Sequence, residues 1–107
     1  MARTLSEANW HDGRLVEVAF SIDKKGRSAV RLIVLLYKNE QAPIRDTCQI
    51  DCSNVSRFNC TLDALELKDN MAAGNISNGY VKDQTLWLYF SDGILEVHAK
   101  RMRISEC

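Results

Sequence analysis

The chain has 107 residues, of which 46% are hydrophobic and 26% charged, and its formal net charge is zero. This length and composition predict a single globular domain over residues 1–107 with a small core of its own. A neutral chain produces no overall field that would attract it to nucleic acid or to an anionic membrane, so neither is expected as a partner.

The N-terminal ten residues lack the apolar stretch of a signal peptide, and the longest apolar run, Leu32–Tyr37, is too short to span a bilayer. We therefore expect a cytoplasmic protein. In a reducing compartment its four cysteines are expected to be free thiols. Cys48 and Cys52, four residues apart on one strand, would be separated by about 13 Å. Because that spacing is too long for a shared ion, no metal and no other cofactor is expected.

The first third of the chain predicts a strand pair. Residues 1–12 are expected to be irregular or to form a short helical turn capped by Ser6. Apolar residues then alternate along Val16–Ile22, as in a half-buried strand. Asp23–Gly26 is typical of a type I turn that places Gly26 in the left-handed region. Ser28–Tyr37 is apolar on both faces, which predicts a central strand covered on both sides.

The middle third predicts a strand, an irregular stretch and a helix. After a polar loop at 38–44, Arg45–Ser53 alternates again and presents Cys48 and Cys52 on one face. Residues 62–73 break this period. Asp63 followed by Glu66 is typical of a helix start, and Gly74 is well placed after its end. A face of this helix would be formed by Leu62, Leu65, Met71 and Ala72.

The last third predicts a hairpin. Thr85–Phe90 and Ile94–Ala99 alternate on either side of Asp92-Gly93, which is a strong turn signal. A turn at these two residues would pair Leu88 with Val97, Trp87 with His98 and Tyr89 with Glu96. The core face would then hold Leu86, Leu88, Phe90, Leu95 and Val97. The final strand would continue past Lys100 with a change of phase.

The preceding segment, 75–82, allows two interpretations. Asn78-Gly79 could form a tight turn, or Gly79 could lie within a strand that ends at Asp83-Gln84. In the second case Tyr80 would lie opposite Trp87. The whole pattern predicts a mainly β, α+β fold: an antiparallel sheet, or a partly open barrel or sandwich, of about six strands with one helix near 62–73.

The outward face of the hairpin is the strongest candidate for a binding surface. It interleaves aromatic and ionisable side chains on rigid strands, a composition typical of interface anchors. Its members are Tyr80, Trp87, Tyr89, Glu96 and His98. The alternative is that the helix, or the N-terminal segment with Trp10, covers this face.

Other candidate sites are less complete. His11-Asp12 resembles the metal-binding pair of phosphohydrolases, but such sites need further histidines and acids. A local role is favoured, in which Asp12 caps backbone amides and His11 forms a nearby hydrogen bond. The cations Lys100, Arg101 and Arg103 are better explained as a solvated edge strand than as a phosphate site. No catalytic constellation is complete.

Several short motifs together resemble a family. These are Trp10-His11-Asp12-Gly13, the two following strands, Gly74-Asn75-Ile76 and Asp92-Gly93. The order resembles that of small bacterial domains with an N-terminal His-Asp motif, some of them grouped with the immunity proteins of polymorphic toxin systems. The resemblance implies a binder that neutralises a toxin without catalysis, and it transfers no residue roles.

We therefore predict a non-enzymatic domain that binds a protein partner or a second copy of itself. The alternative is a small-ligand or metal-dependent enzyme site formed by His11, Asp12 and His98. An edge strand near Met102–Ile104 is a competing route to association by strand addition.

Overall fold

A computed structural model describes residues 5–69 and 74–106. It contains a 3-10 turn at Leu5–Glu7, six strands and a short helix. The strands are β1 Arg14–Ile22, β2 Ser28–Tyr37, β3 Arg45–Thr61, β4 Ile76–Lys82, β5 Thr85–Phe90 and β6 Gly93–Glu106, and the helix is α1 Ala64–Asp69. All pairings are antiparallel, in the order β1-β2-β3-β6-β5-β4. The predicted mainly β fold with about six strands and one helix is confirmed.

The two long strands divide the sheet into two half-sheets. β2 pairs with β3 only as far as Ser53, and β5 pairs with β6 only as far as His98. We call β1, β2 and residues 45–53 and 101–106 the first half-sheet. The second half-sheet consists of β4, β5 and residues 55–61 and 93–99. Phe20 from the first stacks on Phe58 from the second, with ring centroids 6.0 Å apart.

Both half-sheets contribute an apolar inner face to one shared core, and most side chains of these inner faces are buried. The predicted core face of the hairpin is confirmed, because Leu86, Leu88, Phe90, Leu95 and Val97 are all buried. Across the core, the first half-sheet contributes Val30, Leu32, Val34, Leu36, Cys48, Ile50 and Cys52. Full burial of one such side chain contributes roughly 1.5–3 kcal/mol, so this shared core is the main source of stability.

In the first half-sheet, two sequence expectations need correction. Val16 is an extra residue in β1, because the register shifts between Leu15 and Glu17. Leu15 therefore takes the inward position expected of Val16, which is 54% exposed. The expectation that β2 is covered on both faces is also wrong. Its outer residues, such as Ile33 and Leu35, are only partly buried, because among the described residues no element packs over them.

Strand β3 is longer than expected and runs on to Thr61. The sequence prediction stopped at Ser53 because the alternation is broken twice just beyond it. Asn54 has a positive φ of 53°, and Ser56 is an extra residue in the pairing with β6. Cys60 therefore lies within a strand, where the sequence predicted only an irregular stretch before the helix. The predicted change of phase in β6 is confirmed, since Ala99 and Ile104 are both buried although five residues apart.

The helix begins where predicted. The Asp63 carboxylate accepts hydrogen bonds from the backbone N–H groups of Leu65 and Glu66, at 3.0 and 3.1 Å. The helix is shorter than expected within the described residues, and its inward face differs. Leu65 is 71% exposed, whereas Leu62 and Leu67 pack against the core. The predicted contacts of Met71 and Ala72 lie outside the described residues.

The N-terminal segment packs against the inner face of β4. The predicted short turn forms at Leu5–Glu7, so it begins before Ser6. Trp10 is buried beside Gly79, and a Cβ on Gly79 would lie 2.8 Å from the indole. An isolated β-bridge joins Gly13, just before β1, to Ile76 of β4, so the two edge strands of the sheet approach each other at this point.

Neither turn beside β5 is formed by an Asn-Gly or Asp-Gly pair. The turn between β4 and β5 is Asp83-Gln84, so the second interpretation of 75–82 is correct; both residues have positive φ. The turn between β5 and β6 is Ser91-Asp92, and Gly93 already pairs with Phe90. The predicted register is therefore wrong by two residues. Gly93 is needed in the strand because a Cβ there would collide with the carbonyl oxygen of Thr61.

Candidate functional site

The outer face of the second half-sheet is built from cross-strand rows. One row runs from Tyr80 through Trp87 and Glu96 to Asn59, so that each side chain lies beside the next on a neighbouring strand. Directly opposite side chains lie about 4.5–5.5 Å apart and interact. The flanking rows are Asn78–Tyr89–Ile94–Thr61 and Lys82–Thr85–His98–Arg57.

This geometry corrects the predicted cross-strand pairs. Trp87 lies opposite Glu96 rather than His98, and Tyr89 lies opposite Ile94 rather than Glu96. A slip of two residues leaves the parity of each side chain unchanged, because side chains alternate with period two. The structure therefore places Tyr80, Trp87, Tyr89, Glu96 and His98 on one face, which we call the aromatic face.

The three aromatic rings form one continuous stack. Tyr80 and Trp87 have ring centroids 4.6 Å apart, and Tyr80 and Tyr89 have centroids 6.1 Å apart. The Tyr89 hydroxyl donates a hydrogen bond of 3.4 Å to the Tyr80 hydroxyl, and this raises the pKa of Tyr89. Offset stacking of this kind adds about 0.5–1.5 kcal/mol per pair beyond burial. The rings are thus held as an ordered plate on the sheet.

A hydrogen-bond network fixes the ionisable side of the aromatic face. His98 Nε2 lies 2.7 Å from a Glu96 carboxylate oxygen, and His98 Nδ1 lies 3.2 Å from the Thr85 hydroxyl. Because a carboxylate only accepts, Nε2 carries the proton. Asn59 donates a further bond of 3.1 Å to Glu96. The bonds from His98 and Asn59 lower the pKa of Glu96, which therefore stays ionised.

The aromatic face is open rather than covered. Tyr80 is 43% exposed, and Trp87 and Tyr89 are partly exposed. Trp10 lies on the opposite, inner face beside Leu88, and α1 contributes Leu67 to the core. Within residues 5–69 and 74–106, therefore, neither the helix nor the N-terminal segment with Trp10 covers the face, in contrast to that alternative. Fixed side chains with accessible rings are suited to contact with another surface.

His11 and Asp12 lie at the junction of the two sheet edges. His11 Nδ1 is 3.2 Å from the carbonyl oxygen of Ser77, and His11 Nε2 is 3.5 Å from the Asp12 carboxylate. Asp12 has a positive φ of 61°, and its backbone N–H donates to Ile76. Asp12 thus contributes to this junction through its backbone, rather than by the amide cap expected of its side chain. The hydrogen bond of His11 is not the local one that was expected, because its partner Ser77 is 66 residues away in the sequence.

The two histidines have separate sets of partners: His11 bonds with Ser77 and Asp12, and His98 with Thr85 and Glu96. Within residues 5–69 and 74–106, no group of three or more His, Cys, Asp or Glu residues is arranged to hold a metal ion. Cys48, Cys52 and Cys60 are free thiols, and burial raises the pKa of Cys52 to about 12.

The cations near the C-terminus lie away from the aromatic face, on the first half-sheet. Arg101 and Arg103 pair with Ser53 and Asp51 across β3, and the Arg103 guanidinium is 4.0 Å from the Asp51 carboxylate. Residues 101–106 of β6 pair with β3 on one side only. The predicted strand edge near Met102–Ile104 therefore exists, and cations line it.

Sequence analysis missed Asn59, Thr85 and Arg57 as members of this surface. Arg57, Asn59 and Thr61 alternate with Phe58 and Cys60, which is the period of a strand. That signal was present but short, and it followed the two irregularities at Asn54 and Ser56. The sequence predicts Thr85 as the first residue of a strand, but it does not indicate the contact of its hydroxyl with His98.

No protein-family model matches the chain, and neither a curated protein nor a solved structure matches it. No helix in the described part of the chain is both long and apolar enough to cross a membrane.

Proposed function

We propose that this protein is a non-catalytic binding domain whose aromatic face engages another protein. The observation that carries the proposal is the ordered stack of Tyr80, Trp87 and Tyr89 beside the ionised Glu96, all on the open face of a rigid sheet. Tyrosine and tryptophan supply large contact area at low entropic cost, which is why they dominate interface energetics.

The polar groups give this surface its selectivity. Glu96 and His98 hold each other in place, Arg57 lies directly beside His98 along its row, and Lys82 lies at the far end of that row, beyond Thr85. A partner would lay apolar or aromatic side chains on the rings and direct a donor, such as an arginine or a lysine, to Glu96. A partner charge at Glu96 would be partly shielded from water by the neighbouring Trp87, which strengthens the pair.

The resemblance to immunity proteins supplies a class of partner, namely a protein toxin that this domain would neutralise by occupying its surface. The geometry of the aromatic face supports a stable protein contact of this kind. It does not depend on a pocket, because the rings and the carboxylate are presented on an open sheet.

The experiment is quantitative affinity capture from the source cells with two matched double variants. Tyr89→Ala with Glu96→Lys removes a ring and reverses a charge on the aromatic face. Tyr37→Ala with Glu40→Lys makes the same chemical changes on the first half-sheet and its adjoining loop. Circular dichroism and thermal unfolding establish that both variants fold.

We expect proteins captured by the original chain to be lost with the first variant and kept with the second. Equal capture by both variants would contradict the proposal. The captured partner also tests the toxin class: a toxin should arrest growth when expressed alone and should lose that effect when this domain is co-expressed.

A further inference from the structure

Among the described residues the sheet has four edge segments, and three of them carry features that block pairing with another strand. β4 has an extra residue at Ser77 and ends at Lys82. Residues 55–61 of β3 have the extra residue Ser56 and the cation Arg57. Residues 101–106 of β6 carry Arg101 and Arg103. Bulges and cations of this kind are the usual protection of exposed strand edges.

The fourth edge, residues 17–22 of β1, carries none of these features. It pairs regularly with β2 and contains no proline, lysine or extra residue, since the bulge at Val16 lies before it. Its one charged residue, Glu17, lies 3.5 Å from Arg31 of the same chain. Phe20 and Ile22 are 49% and 62% exposed. A regular, apolar and unprotected edge is a template for strand addition.

We infer that this edge binds a second copy of the chain, with β1 pairing antiparallel to β1 across a two-fold axis. A two-fold axis perpendicular to the sheet keeps the inner face of one copy beside the inner face of the other. Directly opposite residues of an antiparallel pair point to the same face, so the axis must pass at the level of a residue and not between two residues. This requirement leaves three central candidates, Val18, Ala19 and Phe20.

Charge and shape select among the three positions. An axis at Phe20 would centre the pairing on the C-terminal end of β1 and would bring Glu17 opposite Asp23 of the other copy, just beyond the strand, where Asp23 already pairs with Arg27 of its own chain. An axis at Val18 would place the bulge residue Val16 opposite Phe20, inside the pairing, whereas an axis at Ala19 places Val16 opposite Ile22, at the very end of β1. An axis at Ala19 pairs Val18 with Phe20 on the inner side and Glu17 with Ser21 on the outer side, with no like charges opposed. Ala19 is therefore the position of the axis.

This dimer extends the first half-sheet into a continuous sheet across both copies. The aromatic face lies on the second half-sheet, so it stays open in each copy. The dimer would therefore present two aromatic faces. The inference of a dimer does not depend on the function proposed for the aromatic face.

The test is sedimentation velocity of the full chain over a wide range of concentration, with two charge variants. Ala19→Glu places like charges opposite each other at the axis, while its carboxylate lies next to Arg31 in its own chain. Ser21→Lys is the matched control, because its ammonium would face Glu17 of the other copy.

We expect the original chain to dimerise. Ala19→Glu should raise the dissociation constant of the dimer about fivefold or more, whereas Ser21→Lys should leave it unchanged or lower it. Hydrogen exchange of the original chain should also show protection of residues 17–22 that grows with concentration, which requires no variant to fold.

Three results would overturn the inference. The chain could stay monomeric at every concentration, which would leave this edge to a foreign strand. The two charge variants could affect the dimer equally. Alternatively, Tyr89→Ala with Glu96→Lys could abolish the dimer while Ala19→Glu leaves it intact, which would place the contact on the aromatic face.

Discussion

Trp10 and Trp87 lie on opposite faces of the same pair of strands. Trp10 fills the space beside Gly79 on the inner face, and Trp87 stacks on Tyr80, the next residue of β4, on the outer face. Because residue 79 has no side chain, the indole of Trp10 can approach the backbone of β4 directly. One tryptophan is therefore buried in the core, and the other is partly exposed on the aromatic face.

The core assignment is tested by Leu88→Ala. Leu88 is fully buried between Gly79 and Leu95 on neighbouring strands, so the change removes buried area and leaves a cavity. We expect the free energy of unfolding to fall by about 2–5 kcal/mol in a urea melt. The control is Ile44→Ala, at a side chain that is 71% exposed, with an expected change within about 0.5 kcal/mol. Similar values for the two variants would show that the inner face is wrongly assigned.

The role of Gly93 is tested by Gly93→Ala. The added methyl group would collide with the Thr61 carbonyl oxygen, so β3 and β6 must separate at this point. Gly26→Asn is the control, since its left-handed turn has open space and asparagine tolerates positive φ. We expect a clear loss of thermal stability for the first variant and little change for the second. Equal melting temperatures for Gly93→Ala and the original chain would refute this role.

The Glu96–His98 bond gives an acid dependence. The bonds from His98 and Asn59 hold the pKa of Glu96 below its ordinary value of 4.5, so at low pH the unfolded chain binds more protons than the folded one. The stability from these bonds is present above that ordinary value and is lost as the pH falls through the folded pKa.

Glu96→Gln removes this titration but keeps an acceptor for His98. We expect its free energy of unfolding to fall less steeply below about pH 4.5 than that of the original chain. Urea melts at a series of pH values measure the two slopes. Asp23, whose pKa is lowered mainly by the backbone N–H of Arg27, contributes equally to both proteins. If the free energy of unfolding has the same pH dependence in both proteins, the pKa of Glu96 does not change on folding and this prediction is wrong.

The thiols should differ in reactivity. Cys60 is exposed, whereas Cys52 is buried and its pKa is raised to about 12 by that burial. A thiolate is the reacting form, so a thiol reagent should modify Cys60 long before Cys52 in the folded protein. Cys60→Ser should remove one equivalent from the fast phase. A fast phase that persists unchanged in this variant would mean that Cys60 is protected.

Local pattern predicted most of this fold, and non-local contacts account for what it missed. The inward set of the hairpin followed from simple alternation, and the cap at Asp63 from one short motif. The register of β5 against β6 depended on Gly93, where the backbone of Thr61, more than thirty residues earlier in the chain, leaves no space for a side chain. A turn prediction based on the hairpin sequence alone does not include this contact, because Thr61 lies outside the hairpin.

The same distinction applies to the candidate site. All five members of the aromatic face were placed on one surface by their parity, which a slip of two residues does not change. Asn59 was missed because it enters from β3, whose second half is preceded by the left-handed Asn54 and the extra residue Ser56. Irregular backbone of this kind interrupts the period that sequence analysis depends on.

Isothermal titration with the captured partner tests the central claim most directly, by comparing Tyr89→Ala with Tyr37→Ala. If the aromatic face is the binding surface, Tyr89→Ala should cost about 2 kcal/mol or more, which is about a thirtyfold rise in Kd, and Tyr37→Ala should leave the Kd nearly unchanged. A Kd unchanged by Tyr89→Ala, or raised equally by both substitutions, would contradict the account.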